Sequence, residues 1–91
     1  MTIKFSKNAI KFLEKLIERD KEKIRLKIKL LATSIEEGIL PFRKMDIKKL
    51  EGNWKGFMRL RIGKLRVIFR IDKDTDEIYI YEIDFRGDVY K

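Results

Sequence analysis

Apolar and charged residues alternate along two neighbouring segments in the middle of the chain, residues 58–62 and 65–71. Because successive side chains of a β-strand point to opposite faces, each segment predicts a strand with one apolar and one charged face. The glycine of Ile62-Gly63-Lys64 predicts a tight turn that joins the two strands as a hairpin. Four arginines then share the charged face: Arg59, Arg61, Arg66 and Arg70. Since like charges on one small surface repel each other, we expect this face to bind an anionic partner.

Apolar residues at helical spacing follow a short predicted strand at Ile3–Phe5. They predict a first helix over residues 9–17, with Ser6 as its N-cap, and a second helix capped by Asp20. Gly38 is the expected end of the second helix, because glycine readily adopts the left-handed conformation found at such ends. Each helix carries one apolar stripe, so we expect the two to form a helical hairpin.

The segment between the second helix and the alternating strands, residues 39–56, predicts a loop. Ile47 and Leu50 are candidate positions for the edge of a strand within it. Trp54 is expected to cover the rim of the hydrophobic core, which would make it a packing residue.

Residues 77–83 (EIYIYEI) are rich in β-branched and aromatic residues and predict a further long strand. Tyr79 and Tyr81 share a face of this strand, where we expect them to pack in the core or at the rim of the sheet. The predicted order is therefore β-α-α-β-β-β, an α+β fold in a single domain over residues 1–91. An antiparallel sheet would pack its apolar face on the helical hairpin and leave its other face open.

Composition restricts the chemistry that this chain can perform. Its net charge of +8 over 91 residues favours phosphate-rich partners, nucleic acid first and an anionic membrane surface second. The absence of cysteine and histidine excludes disulfides, thiolate chemistry, Cys-ligated zinc and histidine acid–base catalysis. There is no apolar run of membrane-spanning length and no signal-peptide pattern, which predicts a cytoplasmic protein without membrane association.

Catalysis by this chain would have to use lysine, arginine, tyrosine, acidic residues or the backbone. The carboxylates of Glu51, Asp84 and Asp88 show no known metal-ligand spacing, so no metal is expected. No other cofactor is expected either.

Three segments resemble the RelE/ParE toxin superfamily: KKLEG at 48–52, RLRIGKLRVIF at 59–69 and RGDVY at 86–90. Within the superfamily the chain is most similar to RelE. The resemblance implies a RelE-like microbial RNase fold and a type II toxin that acts as a ribosome-dependent mRNA interferase. Such a toxin cleaves mRNA in the ribosomal A site by metal-independent 2′-OH transesterification. The implied partners are a cognate RelB-like antitoxin, the ribosome and mRNA, with operator DNA contacted only through the antitoxin.

The resemblance also implies roles for individual residues. Arg66 corresponds to an arginine that stabilises the phosphate, and Arg59 and Arg61 match a basic strand that neutralises the RNA backbone. Arg86 matches a basic residue after the last strand. Tyr90 matches a C-terminal tyrosine used as general base or for stacking on a base. Because cations favour the phenolate, we hypothesise that the arginines lower the pKa of Tyr90.

Three lysines, Lys48, Lys49 and Lys64, are candidate RNA-binding residues near the same face. The chain departs from the family at two places. Positions 84–85 are Asp and Phe where many relatives carry a histidine, which excludes a histidine acid step. Arg59 stands where relatives have lysine, which keeps the charge but makes a poorer proton donor.

Two further functions remain open on the same scaffold. One is a ParE-like toxin that inhibits DNA gyrase and has no nuclease activity. The other is an inactive relative that binds its antitoxin and, through it, operator DNA. Fold alone does not separate these functions, because one scaffold hosts several activities.

Overall fold

The computed structural model describes residues 1–85, which form a five-stranded sheet with two helices packed on one face. The predicted α+β class is confirmed, and one short strand is added to the predicted order of elements. The bounds of the elements are β1 Thr2–Phe5, α1 Lys7–Lys15, α2 Glu18–Glu36, β2 Ile47–Lys49, β3 Met58–Ile62, β4 Leu65–Asp72 and β5 Glu77–Phe85, with a 3₁₀ turn at Gly52–Trp54.

The strands lie in the order β1-β5-β4-β3-β2 across the sheet. Neighbouring strands are antiparallel except for β1 and β5, which run parallel. The parallel pair arises because the helices carry the chain from β1 at one edge of the sheet to β2 at the other. The antiparallel strands β3, β4 and β5 then return across the sheet, so that β5 fills the place beside β1.

The edge strand β2 lies within residues 39–56, where the sequence indicated only a strand edge. Ile47 is buried and pairs with Leu60 of β3. Leu50 lies just beyond the strand, and its N–H donates to the carbonyl of Phe57 at 3.0 Å. A strand of three residues is too short to show a periodic sequence pattern, so β2 is recognised by its pairing with β3.

The two helices begin differently from each other. Ser6 caps α1 as predicted, since its Oγ accepts the N–H of Ala9 at 3.1 Å. The predicted Asp20 cap of α2 is wrong, because this helix already begins at Glu18 with Ile17 as its N-cap. No side chain caps it, but Glu18 and Asp20 place negative charge near the positive end of the helix dipole.

The hydrophobic core lies between the helices and one face of the sheet. The stripe of α2 supplies four buried side chains: Ile24, Ile28, Leu31 and Ala32. The central strands supply side chains with no exposed area: Leu60, Val67, Phe69, Ile78 and Ile80. Among residues 1–85, both helices pack on this one face, and no helix covers the opposite face of the sheet.

Strand β5 contains a β-bulge at Tyr81. Ile80 lies opposite Phe69, and the next paired residue, Glu82, lies opposite Ile68, so Tyr81 is an extra residue. Such a bulge shifts the alternation of faces by one residue. Buried side chains of β5 therefore fall at even positions before the bulge and at an odd position after it: Ile78, Ile80 and Ile83.

Candidate functional site

The outer face of the sheet, which we define as the face turned away from the helices, brings three of the predicted arginines together. Arg61 lies directly opposite Arg66 across β3 and β4, and Arg59 lies two residues from Arg61 on the same strand. Gly63, in the turn between these strands, has a φ of +58°, a conformation that glycine adopts with little strain. This tight turn sets the register that places Arg61 beside Arg66.

Asp84 holds Arg66 through a two-point ion pair. The Nε and Nη2 atoms of Arg66 donate to Oδ1 and Oδ2 of Asp84, each at 3.1 Å. The side chains are 13% and 23% exposed, so the pair is largely shielded from solvent. Bidentate pairing fixes the plane of a guanidinium as well as its position. The guanidinium of Arg66 is therefore oriented before any ligand binds.

Asp46 holds the other two arginines. Its Oδ2 accepts from Nε of Arg61 at 2.9 Å and its Oδ1 accepts from Nη2 of Arg59 at 3.3 Å. The backbone of Asp46 has a φ of +54°, and its carbonyl accepts the N–H of Arg61 at 3.2 Å. Arg59 is 9% exposed, and within residues 1–85 its buried Nε has no hydrogen-bond partner.

These ion pairs change the electrostatic interpretation of the outer face. The sequence predicted crowded arginines that repel each other, whereas the structure pairs Arg59, Arg61 and Arg66 with two aspartates. Three positive and two negative charges leave this arginine cluster, which we define as Arg59, Arg61 and Arg66, with a small positive excess. The cluster is therefore pre-oriented and only partly neutralised.

Arg70 lies on the outer face but away from the arginine cluster. Its guanidinium carbon is 5.2 Å from the ring centroid of Tyr79 and 5.8 Å from that of Phe57. A cation over the face of an aromatic ring is attracted by the electron density of that face. Arg70 thus belongs to a group of aromatic side chains at the other end of β4.

Trp54 belongs to the same group and does not cover the core as predicted. Its ring lies 5.6 Å from Phe57 and 5.4 Å from Tyr81, in edge-to-face geometry, and it is 38% exposed. Tyr81 also contacts Phe57 and Tyr79. The expected packing of Tyr79 and Tyr81 at the core or rim is replaced by aromatic contacts on the outer face.

The three candidate lysines do not lie together. Lys48 pairs with Arg59 in the sheet register and so shares the outer face. Lys49 is on the opposite face by alternation, and its Nζ lies 5.8 Å from the ring centroid of Phe42. Lys64 is exposed in the turn between β3 and β4. Lys48 and Lys64 therefore flank the arginine cluster from two sides, while Lys49 points elsewhere.

Two candidate catalytic residues, Arg86 and Tyr90, lie outside the described residues. Their assignment stays a prediction from the resemblance. The same holds for the hypothesis that the arginines lower the pKa of Tyr90.

Two other kinds of site are not seen in the described part of the chain. Residues 1–85 contain no group of three or more acidic side chains arranged to hold a metal ion. No helix among these residues has the length and apolar character needed to cross a membrane.

Sequence reasoning missed Asp46 and considered Asp84 only as a metal candidate and a departure from the family. Asp84 could have been found from the strand register, because a residue opposite Arg66 on the charged face is a natural ion-pair partner. That step requires the position of the bulge, which alternation does not reveal. Asp46 lies in a loop, so no periodic pattern indicates its contacts.

Comparisons with known proteins identify the family of the chain. A sequence profile of the family described as the ParE toxin of the type II toxin-antitoxin system, parDE, matches residues 3–90. A search of curated protein sequences returned no significant match.

Solved structures share the fold. A chain in the RelB–RelE antitoxin–toxin complex from Methanococcus jannaschii is 25% identical, with a TM-score of 0.71 over 96% of this chain and 94% of that chain. A chain in the RelE–RelB complex from Pyrococcus horikoshii OT3 is 27% identical, with a TM-score of 0.71 over 94% of each chain. One in the YoeB–YefM heterotetramer from Staphylococcus aureus is 22% identical, with a TM-score of 0.69 over 94% and 97%.

The profile match spans almost the entire chain, and it agrees with the sheet topology and with the toxin–antitoxin complexes that share this fold. The chain therefore belongs to the ParE toxin family, within the RelE/ParE superfamily of type II toxin–antitoxin toxins.

Proposed function

We propose that this toxin is a RelE-type mRNA interferase that cleaves mRNA in the A site of the ribosome. The observation that carries the proposal is the arginine cluster, in which Arg61 and Arg66 lie side by side on the outer face. Their guanidinium groups are held by Asp46 and Asp84 in fixed orientations. Preorganised cations of this kind suit a reaction in which negative charge grows on a phosphate.

Metal-independent cleavage proceeds by attack of the 2′-oxygen on the adjacent phosphorus. The P–O5′ bond breaks, the 2′-hydroxyl loses its proton to a base, and the departing 5′-oxygen gains one. The products are a 2′,3′-cyclic phosphate and a 5′-hydroxyl. The pentacoordinate intermediate carries more negative charge than the substrate, so fixed guanidinium groups stabilise it selectively.

The arginine cluster supplies binding and charge stabilisation in this mechanism. Arg61 and Arg66 would contact the non-bridging phosphate oxygens, since a guanidinium matches the geometry of a phosphate. Arginine keeps its proton at neutral pH, so these residues are not assigned to proton transfer. The proton acceptor in the proposal is Tyr90, together with Arg86 at the phosphate, on the basis of the resemblance.

Primer extension on an mRNA loaded on ribosomes tests the proposal. Wild-type protein is expected to produce cuts in phase with codons, and these cuts should require ribosomes. Arg66→Ala is expected to slow cleavage by about 10²- to 10³-fold, the usual effect of removing one fixed donor to a developing oxyanion. Arg19→Ala, which removes an exposed arginine of α2, is the matched control and should cleave like wild type.

Arg66→Lys separates charge from geometry, because lysine keeps the charge but cannot form the bidentate pair with Asp84. It should remain well below wild type in cleavage rate. Circular dichroism and thermal unfolding of each variant establish that the fold is retained. Unchanged cleavage by folded Arg66→Ala protein would remove Arg66 from the site, and no cleavage by wild type would reject the interferase function.

Inhibition of DNA gyrase is the second candidate function, and the match to the ParE family over residues 3–90 favours it. It is tested by the supercoiling activity of gyrase in the presence of the purified toxin. Loss of negative supercoiling by a protein that does not cut mRNA would establish this alternative. If neither activity is found, the remaining hypothesis is that this protein is an inactive relative that binds its antitoxin.

We further propose that a cognate RelB-like antitoxin is the partner of this chain, as in the RelE complexes that share its fold. The helices and β1 enclose a groove of about 500 Å³ with an apolar floor that includes Phe5, Leu13 and Ile24. Its rim carries Lys21, Arg25 and Lys29 together with one acidic residue. A groove of this kind suits an acidic amphipathic segment that folds as it binds. Contact with operator DNA is expected only through this antitoxin.

A further inference from the structure

Four aromatic rings pack together on the outer face around Arg70, at the end of β4 that is farther from Arg66. We define the aromatic platform by these residues: Trp54, Phe57, Tyr79 and Tyr81. The centroids of Trp54, Phe57 and Tyr81 are 5.4–5.6 Å apart in all three pairs, and Tyr79 is 6.2 Å from Tyr81. The three closest rings meet at angles of 60° to 86°. In an edge-to-face pair the edge of one ring rests on a face of the other, and the opposite face of that ring is not covered by its partner.

The platform is not part of the hydrophobic core. The core lies on the opposite face of the sheet, and its largest aromatic residue, Phe69, has no exposed area. Trp54 and Tyr81 remain 38% and 39% exposed after packing against their neighbours. Tyr81 and Ile83 are two residues apart and would share a face in a regular strand. Because of the bulge, Tyr81 lies on the outer face and Ile83 in the core. A group of large, partly exposed rings of this kind marks a binding surface.

A positive charge accompanies the rings. The exposed Arg70 lies over Tyr79 and Phe57, and the exposed Lys55 directly follows Trp54 in the chain. Aromatic rings with adjacent guanidinium groups bind the bases of single-stranded nucleic acid, because each base has a flat π-face and each nucleotide carries a phosphate. An acidic group, Glu82, lies nearby opposite Ile68, so the charge of the platform is moderate.

The platform and the arginine cluster lie on the same face of the sheet, and Phe57 of the platform is two residues from Arg59 of the cluster. Arg70 lies four residues from Arg66 on the same strand, a separation of about 13 Å along β4. The intervening outer-face residue, Ile68, is buried at 2% exposure, and Glu82 lies opposite it on β5. An extended single strand can therefore place a phosphate on the arginines and a neighbouring base on the rings.

We propose that the aromatic platform is a subsite that stacks a nucleobase of single-stranded RNA beside the arginine cluster. The proposal deepens the proposed function and rests on it for the identity of the ligand. It assigns Trp54 and Tyr81 as the stacking surface and Arg70 as the residue that holds the rings and adds positive charge.

Trp54 is the only tryptophan of the chain, so its fluorescence reports directly on the platform. The probe is a single-stranded oligoribonucleotide of about six nucleotides, a length within the range that one such surface binds. Titration of the free toxin with this RNA should change the Trp54 emission. An abasic ribose-phosphate chain of the same length carries the same charge and should bind more weakly, with little change in emission.

Variants identify the rings that matter. Tyr81→Ala should weaken binding of the RNA by roughly 5- to 150-fold, as expected for removing one base–aromatic stack, and should leave binding of the abasic chain unchanged. Tyr81→Phe keeps the ring and should bind like wild type. Phe85→Ala is the matched control, because Phe85 is also an exposed ring, at 40%, but packs against Phe12 of α1.

Three results would overturn the proposal: no change in Trp54 emission, equal binding of RNA and the abasic chain, or unchanged RNA binding by folded Tyr81→Ala protein. If Tyr81→Ala instead releases a co-purified antitoxin without affecting RNA, the platform is a protein-binding surface. The titration uses neither ribosomes nor cleavage. A positive titration together with negative primer extension would therefore reject the interferase function and retain the subsite.

Discussion

Two aspartates determine how the arginine cluster is held. Asp84 fixes Arg66 in its plane, and Asp46 bridges Arg59 and Arg61 from the turn that directly precedes β2. The carboxylates keep the guanidinium groups oriented, so in the proposed reaction less reorganisation would be needed when a phosphate binds. They would also compete with that phosphate, so we expect the free protein to bind anions at this cluster weakly.

The ion pair between Lys4 and Glu77 gives a prediction about pH. The Lys4 Nζ lies 2.8 Å from Glu77, and this contact, with a hydrogen bond from Thr75, holds the pKa of the Glu77 carboxyl below its ordinary value. A lowered carboxyl pKa stabilises the fold above the unfolded value of about 4.3, and the contribution is lost as pH falls through the folded value. When the pH is lowered below about 4, the urea midpoint of unfolding should therefore decrease less for Glu77→Gln than for wild type.

The control for this effect is Glu14→Gln, at an exposed acidic position of α1. Its acid profile should follow that of wild type. Parallel profiles for wild type and Glu77→Gln would show that the pair with Lys4 does not contribute to acid stability.

Sequence reasoning reached the arginines but not their partners. The alternation along β3 and β4 placed Arg59, Arg61 and Arg66 on one face, because that property is local. Asp46 and Asp84 are 13 to 18 residues from the arginines that they contact. Such contacts depend on how strands and loops assemble, which no short pattern records.

At the scale of elements, Ser6 connects the first helix to the sheet. Its Oγ accepts the N–H of Ala9 at the start of α1, and its hydroxyl donates to the carbonyl of Tyr81 in β5. Ser6→Ala should reduce the free energy of unfolding by about 1–2 kcal/mol, the upper part of the range for losing an N-cap, because the hydrogen bond to Tyr81 is lost as well. Urea unfolding followed by circular dichroism measures it.

Ser34→Ala is the comparison for this prediction. The Ser34 hydroxyl donates to the carbonyl of Leu30 within α2, where alanine is the better helix former. This substitution should change stability by no more than about 0.5 kcal/mol. Equal effects of the two substitutions would mean that the Ser6 cap is not a specific support of α1.

Elements with strong local signals were predicted, and those defined by pairing were not. The strand at β1, both helices and the β3–β4 hairpin follow from spacing and turn residues. Strand β2 is too short to show a period, and the start of α2 lacks the side-chain cap by which helix starts are identified. The bulge at Tyr81 is visible only when β5 is aligned with β4.

At the scale of the whole molecule, α2 packs against the sheet through one of its faces. Leu31 has no exposed area, whereas Leu26 on the other side of the same helix is 58% exposed. Leu31→Ala should cost about 2–5 kcal/mol, because it removes buried apolar surface and leaves a cavity. Leu26→Ala should change stability by less than about 0.5 kcal/mol. Chemical denaturation of both proteins gives the comparison, and similar losses would contradict the packing described for α2.

Within residues 1–85, positive charge is not concentrated on the outer face of the sheet. The arginine cluster is balanced in large part by Asp46 and Asp84, whereas exposed basic side chains are spread over α2 and the loops. We therefore expect attraction to phosphate-rich surfaces to come from the entire molecule and to weaken as salt is added.

The bulge at Tyr81 also determines where β5 can change in length. Tyr81 is the extra residue opposite β4, so deleting it would restore regular alternation in β5 and leave Ile83 facing the core and Asp84 facing outward. Deleting a regularly paired residue before the bulge, such as Tyr79, would instead exchange the faces of the residues on one side of the deletion. Insertions and deletions retained in evolution should therefore fall at the bulge or in turns such as residues 73–76, where the chain is exposed and a change in length leaves both faces of the sheet intact.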